Sequence, residues 1–485
     1  MKFEIKEKPN DPSTLLIRSN DFDAYDSLRD RFSVLENNFQ YIRRCKEKNI
    51  RIDPLKKTIR KSVIKSNGEF NKGLLMDILL YIKNSYKDRT LDIILSDEVK
   101  SKIKVYDDNL DINGVIVDDQ GSKPRDYQIE SMKKALKYMN GLFVLATGAG
   151  KTLCCSILMH NLLLKGCKKI LFICPFPDLA KQTYEAVSYN LKEFGYSVAQ
   201  WYGKLKFDRD VQILICGADI LRSKFKEFKE EIKSYDAVIV DEVHSLKYGN
   251  KISDVVKAIP TDRKFGFTGT LPENKLDKWS IIGLIGPVRY ILQSHELREE
   301  KFLTDVNVLG IHVPIQDIKS TYQDEIDYLG ESKRLNETVA RTAAGTKGNT
   351  LILTGRLNHI AVLESLDYRG KQVYVIQGDV PLDERADIKE AMESRNDVVV
   401  IAQVSTFSTG INVKNISNII FPGTIGKSNI RIIQSIGRSL RLLEGKKMST
   451  IIDMIPSTKY SLKHWEERKA IYKSERIPFK ELLLK

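Results

Sequence analysis

Two short segments of this 485-residue chain combine backbone freedom, positive charge and carboxylates at spacings that can do chemistry. The first is Thr147-Gly148-Ala149-Gly150-Lys151-Thr152. Its glycines let backbone N–H groups close around an anion. The apolar run GLFVLA (141–146) precedes it and TLCCSILMHNLLLKG (152–166) follows, which predicts strand, loop and helix. A helix opening at Lys151 aims its N-terminal N–H groups at the same anion. Lys151 would then reach the β- and γ-phosphates of a nucleotide, and the Thr152 hydroxyl would reach Mg2+. This order of parts predicts ATP and Mg2+ as cofactors. Leu145 stands where the common form of such a loop has its first glycine.

The second segment, Asp241-Glu242-Val243-His244, closes the apolar run DAVIV (236–240). An Asp at the C-terminal end of a buried strand can hold Mg2+, partly through water, and an adjacent Glu can activate the attacking water. A pair of carboxylates in a solvated loop is the bland alternative. The buried-strand residues before the pair argue against it, because they carry it to the sheet edge where ligands bind.

About 90 residues separate these two segments, and together they resemble motifs I and II of superfamily 2 helicases. Further segments follow in that family's order. Arg125-Asp126-Tyr127-Gln128 resembles the element that reads adenine, and Gln can pair bidentately with that base. Pro175, Leu179 and Gln182 resemble motif Ia, and Thr268-Gly269-Thr270 resembles motif III. LILTGR (351–356) resembles motif IV and Ser408-Thr409-Gly410-Ile411-Asn412 motif V, with Asn412 where many members have Asp. Gln434-Ser435-Ile436-Gly437-Arg438-Ser439-Leu440-Arg441 resembles motif VI. The phrases RDYQ, VSTFSTGINVKN and IIQSIGRSLR are similar to the UvsW-type phage recombination and branch-migration DNA helicases.

The resemblance implies two RecA-like doubly wound parallel-sheet domains and an ATP-dependent enzyme that remodels branched DNA. It assigns Lys151, Asp241, Glu242, Gln434, Arg438 and Arg441 to catalysis. It assigns Arg125, Gln128, Thr147, Gly148, Ala149, Gly150, Thr152, Gly410 and Asn412 to the nucleotide. His244, Thr268 and Thr270 would couple hydrolysis to movement, and Pro175, Gln182, Gly217, Arg356 and Thr406 would touch nucleic acid. Arg suits transition-state charge because its own charge is permanent and its fork matches phosphate oxygens. An RNA helicase is one alternative. A non-catalytic nucleic-acid scaffold on an inactive motor is another.

The elements that must position these residues are legible as texture. From residue 125, apolar runs alternate with helical segments: 141–146, 169–175, 211–217, 236–242 and 264–270. The pattern restarts at 306–313, 349–355, 371–379, 397–405, 416–423 and 448–455. Near-continuous apolar strands separated by helices mean parallel sheets covered on both faces. The fold class is therefore α/β, with two such domains after a small α+β unit. The expected domains are 1–110, which would dock on duplex DNA, then 111–300, then 301–485 with a basic helical tail. Residues 105–124 read as a linker containing a short strand. Trp201 and Trp279 read as core, whereas Trp465 could lie at the surface and stack on a base.

Composition narrows the classes. No apolar run is long enough to cross a bilayer, and MKFEIKEKPN is not a signal peptide, so a cytoplasmic protein is expected. The six cysteines form no C-x-x-C pair and read as buried thiols. The net charge of +14 points to a polyanionic partner. Residues 41–73 hold 11 Lys and Arg against 3 Asp and Glu, and residues 426–485 hold 14 against 6, so the excess has two addresses. The expected partner is DNA, branched or duplex, with recombination or replication proteins as further partners and a monomer as the state.

Overall fold

The computed structural model of the chain describes residues 1–47, 50, 53, 56–318, 321–377, 380, 382–404, 415–424 and 448–484. The chain divides into two compact units. One is Met1–Leu145 with Gly150–Ile291, and the other is Leu292–Lys485 with Ala146–Ala149.

The first unit begins with strands β1 (Lys2–Lys8), β2 (Asp11–Ser19), β3 (Ser33–Asn37), β4 (Thr58–Ser62), β5 (Glu69–Asn71) and β6 (Asp92–Leu95). They form a four-stranded sheet of order β5-β2-β1-β6 and a separate β3-β4 hairpin. In β1 the alternation of exposed Lys2 and Glu4 with buried Phe3 and Ile5 shows a sheet with one face in the core. Helices Phe22–Arg31 and Leu75–Ser85 join these strands, the first burying Ala24 and Leu28 and the second Leu75, Ile78 and Ile82.

Seven strands then build the first parallel sheet: β7 (Gly141–Leu145), β8 (Ile170–Cys174), β9 (Val198–Trp201), β10 (Ile213–Gly217), β11 (Ala237–Val240), β12 (Arg263–Thr268) and β13 (Val288–Leu292). Their order is β13-β7-β12-β11-β8-β10-β9. Every residue of β7, β8, β10 and β11 is buried, as near-continuous apolar runs require. β9 and β13 are sheet-edge strands that the apolar-run reading passed over. Residues 105–124 carry no strand, contrary to expectation. Their backbone is instead tied to helix side chains: Asn161 Nδ2 donates to the Asp111 carbonyl at 2.7 Å, and Asn190 Nδ2 to that of Ile116 at 2.5 Å. Those side chains satisfy backbone groups that a ladder would otherwise take.

The N-terminal sheet and the first parallel sheet share one continuous apolar core. Helix Lys275–Ile285 is the seam. A Cβ on Gly73 would stand 2.0 Å from the Ile282 carbonyl, and one on Gly283 would stand 2.9 Å from Asn71 Cβ. Only glycines allow backbones to approach this closely. Beside them Trp279 packs on Phe32, ring centroids 5.4 Å apart.

The second unit contains β14 (Asp305–Val313), β15 (Thr350–Thr354), β16 (Gln372–Ile376), β17 (Val398–Gln403), β18 (Asn418–Phe421), β19 (Met448–Pro456) and β20 (Phe479–Leu483). Their order is β16-β17-β15-β18-β19-β14-β20, all pairings parallel. The tail is a helix, Lys459–Ser474, as its composition predicts, but it is core rather than cover. Trp465 is 1% exposed and lies against Gly310 of β14, so it cannot stack on a base. Arg468 grips Asp453 of β19 at 2.7 and 2.9 Å with both groups buried. Charge count could not reveal this, because a buried pair and a solvated pair read alike in sequence.

Candidate functional site

The C-terminal edge of the first parallel sheet collects the sequence-predicted residues. β7 leads through the loop 146–150 into helix Lys151–Leu164. Gly148 and Gly150 have φ of +89° and +78°. That backbone region is costly for residues with a Cβ. A Cβ on Gly150 would also stand 2.4 Å from Gln128 Nε2. Gln128 is buried, and its Oε1 accepts the Arg125 backbone N–H at 2.9 Å, closing the first turn of helix Asp126–Tyr138. Arg125 Nη1 donates to the Tyr127 hydroxyl at 2.9 Å. The RDYQ segment is therefore a pre-formed corner with its Gln beside the phosphate-type loop.

The acidic segment lies at the end of the neighbouring strands. Asp241 follows β11, and its amide donates to the Ile173 carbonyl of β8 at 2.9 Å. Its Oδ1 accepts the Glu242 amide at 2.9 Å. Burial first, and the Glu242 charge second, push the Asp241 carboxyl up to about 6. Glu242 has φ of +46°, an uncommon conformation for a residue with a side chain, which turns its carboxylate back over the edge. Lys151 Nζ lies 3.9 Å from Glu242 Oε1, so the loop cation and the acidic segment form one cluster.

His244 and Thr268 complete it. His244 Nδ1 is 3.1 Å from Glu242 Oε2 and 3.0 Å from Thr268 Oγ1. The Thr268 hydroxyl donates to the Thr270 carbonyl at 2.8 Å, fixing the turn after β12. A chain of polar contacts thus runs from Lys151 through Glu242 and His244 to Thr268. A separate contact without a signal in the sequence ties down the loop that follows: Asp277, in the first turn of helix Lys275–Ile285, accepts the Tyr248 amide at 3.0 Å. The helix that seats the N-terminal sheet therefore also holds the loop after the acidic segment.

Pro175 follows β8, and Gly217 ends β10 and caps helix Ala218–Lys224, so both share this edge. Gln182 sits on the exposed side of helix Pro177–Asn190. In the second unit Arg356 caps helix Leu357–Glu364 after β15, and its Nε lies 3.9 Å from Asp327. Thr406, Gly410, Asn412, Gln434, Arg438 and Arg441 lie outside the described residues.

Comparison with known proteins gives these features a family. Residues 121–273 match the model "Type III restriction enzyme, res subunit", and residues 332–442 match "Helicase conserved C-terminal domain". The chain belongs to the superfamily 2 helicases and is an ATP-dependent enzyme of that class. Among its relatives is the ATP-dependent DNA helicase UvsW of Enterobacteria phage T4. It is 26% identical over 378 residues, 74% of this chain and 72% of that protein. Two solved structures share the fold. The ATP-dependent Type ISP restriction-modification enzyme LlaBIII bound to DNA has a TM-score of 0.57 at 14% identity, over 84% of this chain and 34% of that one. Dbp5 of S. cerevisiae bound to RNA and ADP BeF3 has a TM-score of 0.54 at 16% identity, over 75% and 91%. Among the described residues no helix is long and apolar enough to cross a membrane.

Proposed function

We propose that this helicase acts on DNA and that branched DNA is its substrate, in recombination, repair or replication. The observation that carries a motor reading is the His244 bridge. It joins the carboxylate that would activate water to the turn after β12, from which helix Lys275–Ile285 leads to the N-terminal sheet. A change in Glu242 on hydrolysis has a route of packed groups toward a region rich in Lys and Arg. The choice of DNA rests on the name of the T4 relative, because the fold is shared with one protein bound to DNA and another bound to RNA.

Phosphoryl transfer needs positioning and charge neutralisation more than covalent chemistry. Lys151 would hold the terminal phosphates, Gln128 the adenine, and Glu242 the attacking water. Thr152 and Asp241 offer an oxygen-only donor set, the kind Mg2+ takes, and the buried Asp241–Glu242 pair is a site that a cation would neutralise. Bound there, Mg2+ would supply charge neutralisation at the terminal phosphates. Arg438 and Arg441 are the residues that would supply the remaining positive charge, with Gln434 beside them. Nucleic acid would be gripped in part by the basic 41–73 segment.

ATPase rates with matched single-stranded RNA, single-stranded DNA and a four-way DNA junction test the substrate. We expect the junction to stimulate most. Stimulation greatest with RNA would replace DNA with RNA in this reading, and no hydrolysis with any of the three would revive an inactive scaffold. Truncation of residues 1–110 would strip apolar cover from Trp279, so charge reversal is the cleaner probe of docking. Arg44→Glu with Lys57→Glu should weaken junction binding several-fold in a gel-shift titration while basal ATPase stays within about twofold.

A further inference from the structure

The opposite, N-terminal edge of the same parallel sheet encloses a cavity of about 830 Å³. Four adjacent strands begin on it. Its wall is made by residues 286–289 before and in β13, 138–140 before β7, 260–263 before and in β12, and 233–236 before β11. Residues 72–76 and 101–106 of the N-terminal region cover it. That size is typical of sites for small organic ligands. The nucleotide loop lies at the far end of β7, so this space is distinct from the site described above.

Its chemistry is one-sided. Six lining residues are Lys or Arg and two are Asp. Asp236 is already engaged, accepting the Lys168 and Lys169 amides at 2.7 and 3.0 Å. Asp262 pairs with Lys72 and lies 4.0 Å from Lys102. Lys102 is held by Glu7 at 2.6 Å and by the Pro12 carbonyl at 2.8 Å. Behind them Lys264 is 1% exposed and donates to the Val256 carbonyl. Despite Asp262, Glu7 and Asp11 nearby, Lys72 is pushed down to about 6, by burial first and then by Lys264 and Lys102. Lys104, on the exposed rim, has no ion pair among the described residues. The remaining wall is apolar, with aliphatic side chains and the rings of Tyr106, Tyr138 and Tyr235. The Arg289 guanidinium lies 3.9 Å over the Tyr138 ring and is held there by hydrogen bonds to Asn140 at 3.2 and 3.3 Å.

We propose that this cavity binds a small organic anion with an aromatic body, a phosphate or sulfonate in class. Lys72, Lys102 and Lys104 take the anionic group, and the Tyr138–Arg289 wall takes the ring. The apolar lining covers part of the ring, and the anion offsets the crowding of the lysines. A ligand here sits beneath the strands that carry the phosphate loop, the acidic segment and Thr268.

Titration calorimetry of the full chain with 2-naphthalenesulfonate at pH 7.5 tests this. The probe keeps its charge across neutral pH, so any proton taken up from the buffer is bound by the protein. We expect one site, with proton uptake as Lys72 becomes charged, read from heats in buffers of different ionisation enthalpy. Lys72→Met should abolish both binding and uptake. Lys104→Glu, on the exposed rim where folding is insensitive, should weaken binding at least tenfold with an unchanged melting temperature. Lys151→Ala should bind the probe as the wild type does. No binding at millimolar probe would overturn the proposal. So would an affinity unmoved by Lys104→Glu, or one lost in Lys151→Ala.

Discussion

The two parallel sheets are built from the same kind of strand and use their buried polar groups in opposite ways. In the first, two carboxylates, Asp241 and Glu242, stand side by side at the C-terminal edge. Asp241 is driven toward protonation beside Glu242, and Lys151 is the cation that faces them. In the second, the polar groups of the described residues are closed inside networks. His359 bonds Asn336 through one nitrogen at 2.7 Å and meets Thr354 and Thr424 through the other at 3.1 and 3.0 Å. Glu325 caps helix Lys459–Ser474, accepting from Tyr460 and Ser461 amides and from the Thr458 hydroxyl. Arg468, Asp453 and Tyr472 form a buried trio. A polar cluster with unmet charge is a place for a ligand, whereas a saturated one fixes the fold. Among the described residues, the same fold thus supports chemistry at the edge of one sheet and rigidity in the other.

The contrast can be broken at its strongest point by removing the cation of the open cluster. Lys151→Ala should lower nucleic-acid-stimulated ATPase by about a thousandfold or more, roughly 4 kcal/mol, with DNA affinity changed only a few-fold. Turnover near wild type would remove Lys151 from catalysis. The closed cluster should respond in stability instead. Arg468→Ala leaves Asp453 buried and uncompensated, at a cost of about 3–5 kcal/mol in urea unfolding. An effect under about 1 kcal/mol would show that the trio is not saturated as drawn.

A finer comparison uses pH. Burial pulls His359 down to about 4, below its unfolded value near 6.5. The neutral ring is the folded form, so its stability contribution is complete above about pH 6.5. It is lost as pH falls from there toward 4, because the unfolded chain takes the proton first. The loss should reach about 3 kcal/mol, seen as a melting temperature that drops more steeply on acidification than in His359→Gln. The smallest effect is expected at the bridge. Thr268→Val removes the hydroxyl that meets His244 but leaves Lys151 and Glu242 in place. Strand separation should fall about tenfold, roughly 1.4 kcal/mol, while basal ATPase stays within about threefold. Equal loss of both activities would place Thr268 in the chemistry rather than in coupling.

Much of the fold was written in local pattern. A run such as GLFVL or AVIV has one use in a chain of this kind, a strand buried on both faces. The helix after Lys151 is announced by the loop before it. Edge strands β9 and β20 were not legible, since Val198–Trp201 and Phe479–Leu483 lack a continuous apolar run. The candidate site was legible where a segment holds its own chemistry, as Gly148–Thr152 and Asp241–His244 do. It was not legible where the partner is distant in sequence: Tyr248 with Asp277, or Gln128 with Gly150.

Sequence alone therefore determined which residues can meet a phosphate, which strands are buried and where positive charge accumulates. These depend on neighbours within a few positions. Only the tertiary structure decided that Trp465 and Arg468 of a basic tail are core, and that the N-terminal sheet is seated on the motor through Gly73 and Gly283. It also decided that Asp241 and Lys72 titrate far from their ordinary ranges. The reason is common to all of them. Burial and through-space charge depend on which distant segments fold together, and a local pattern does not carry that information.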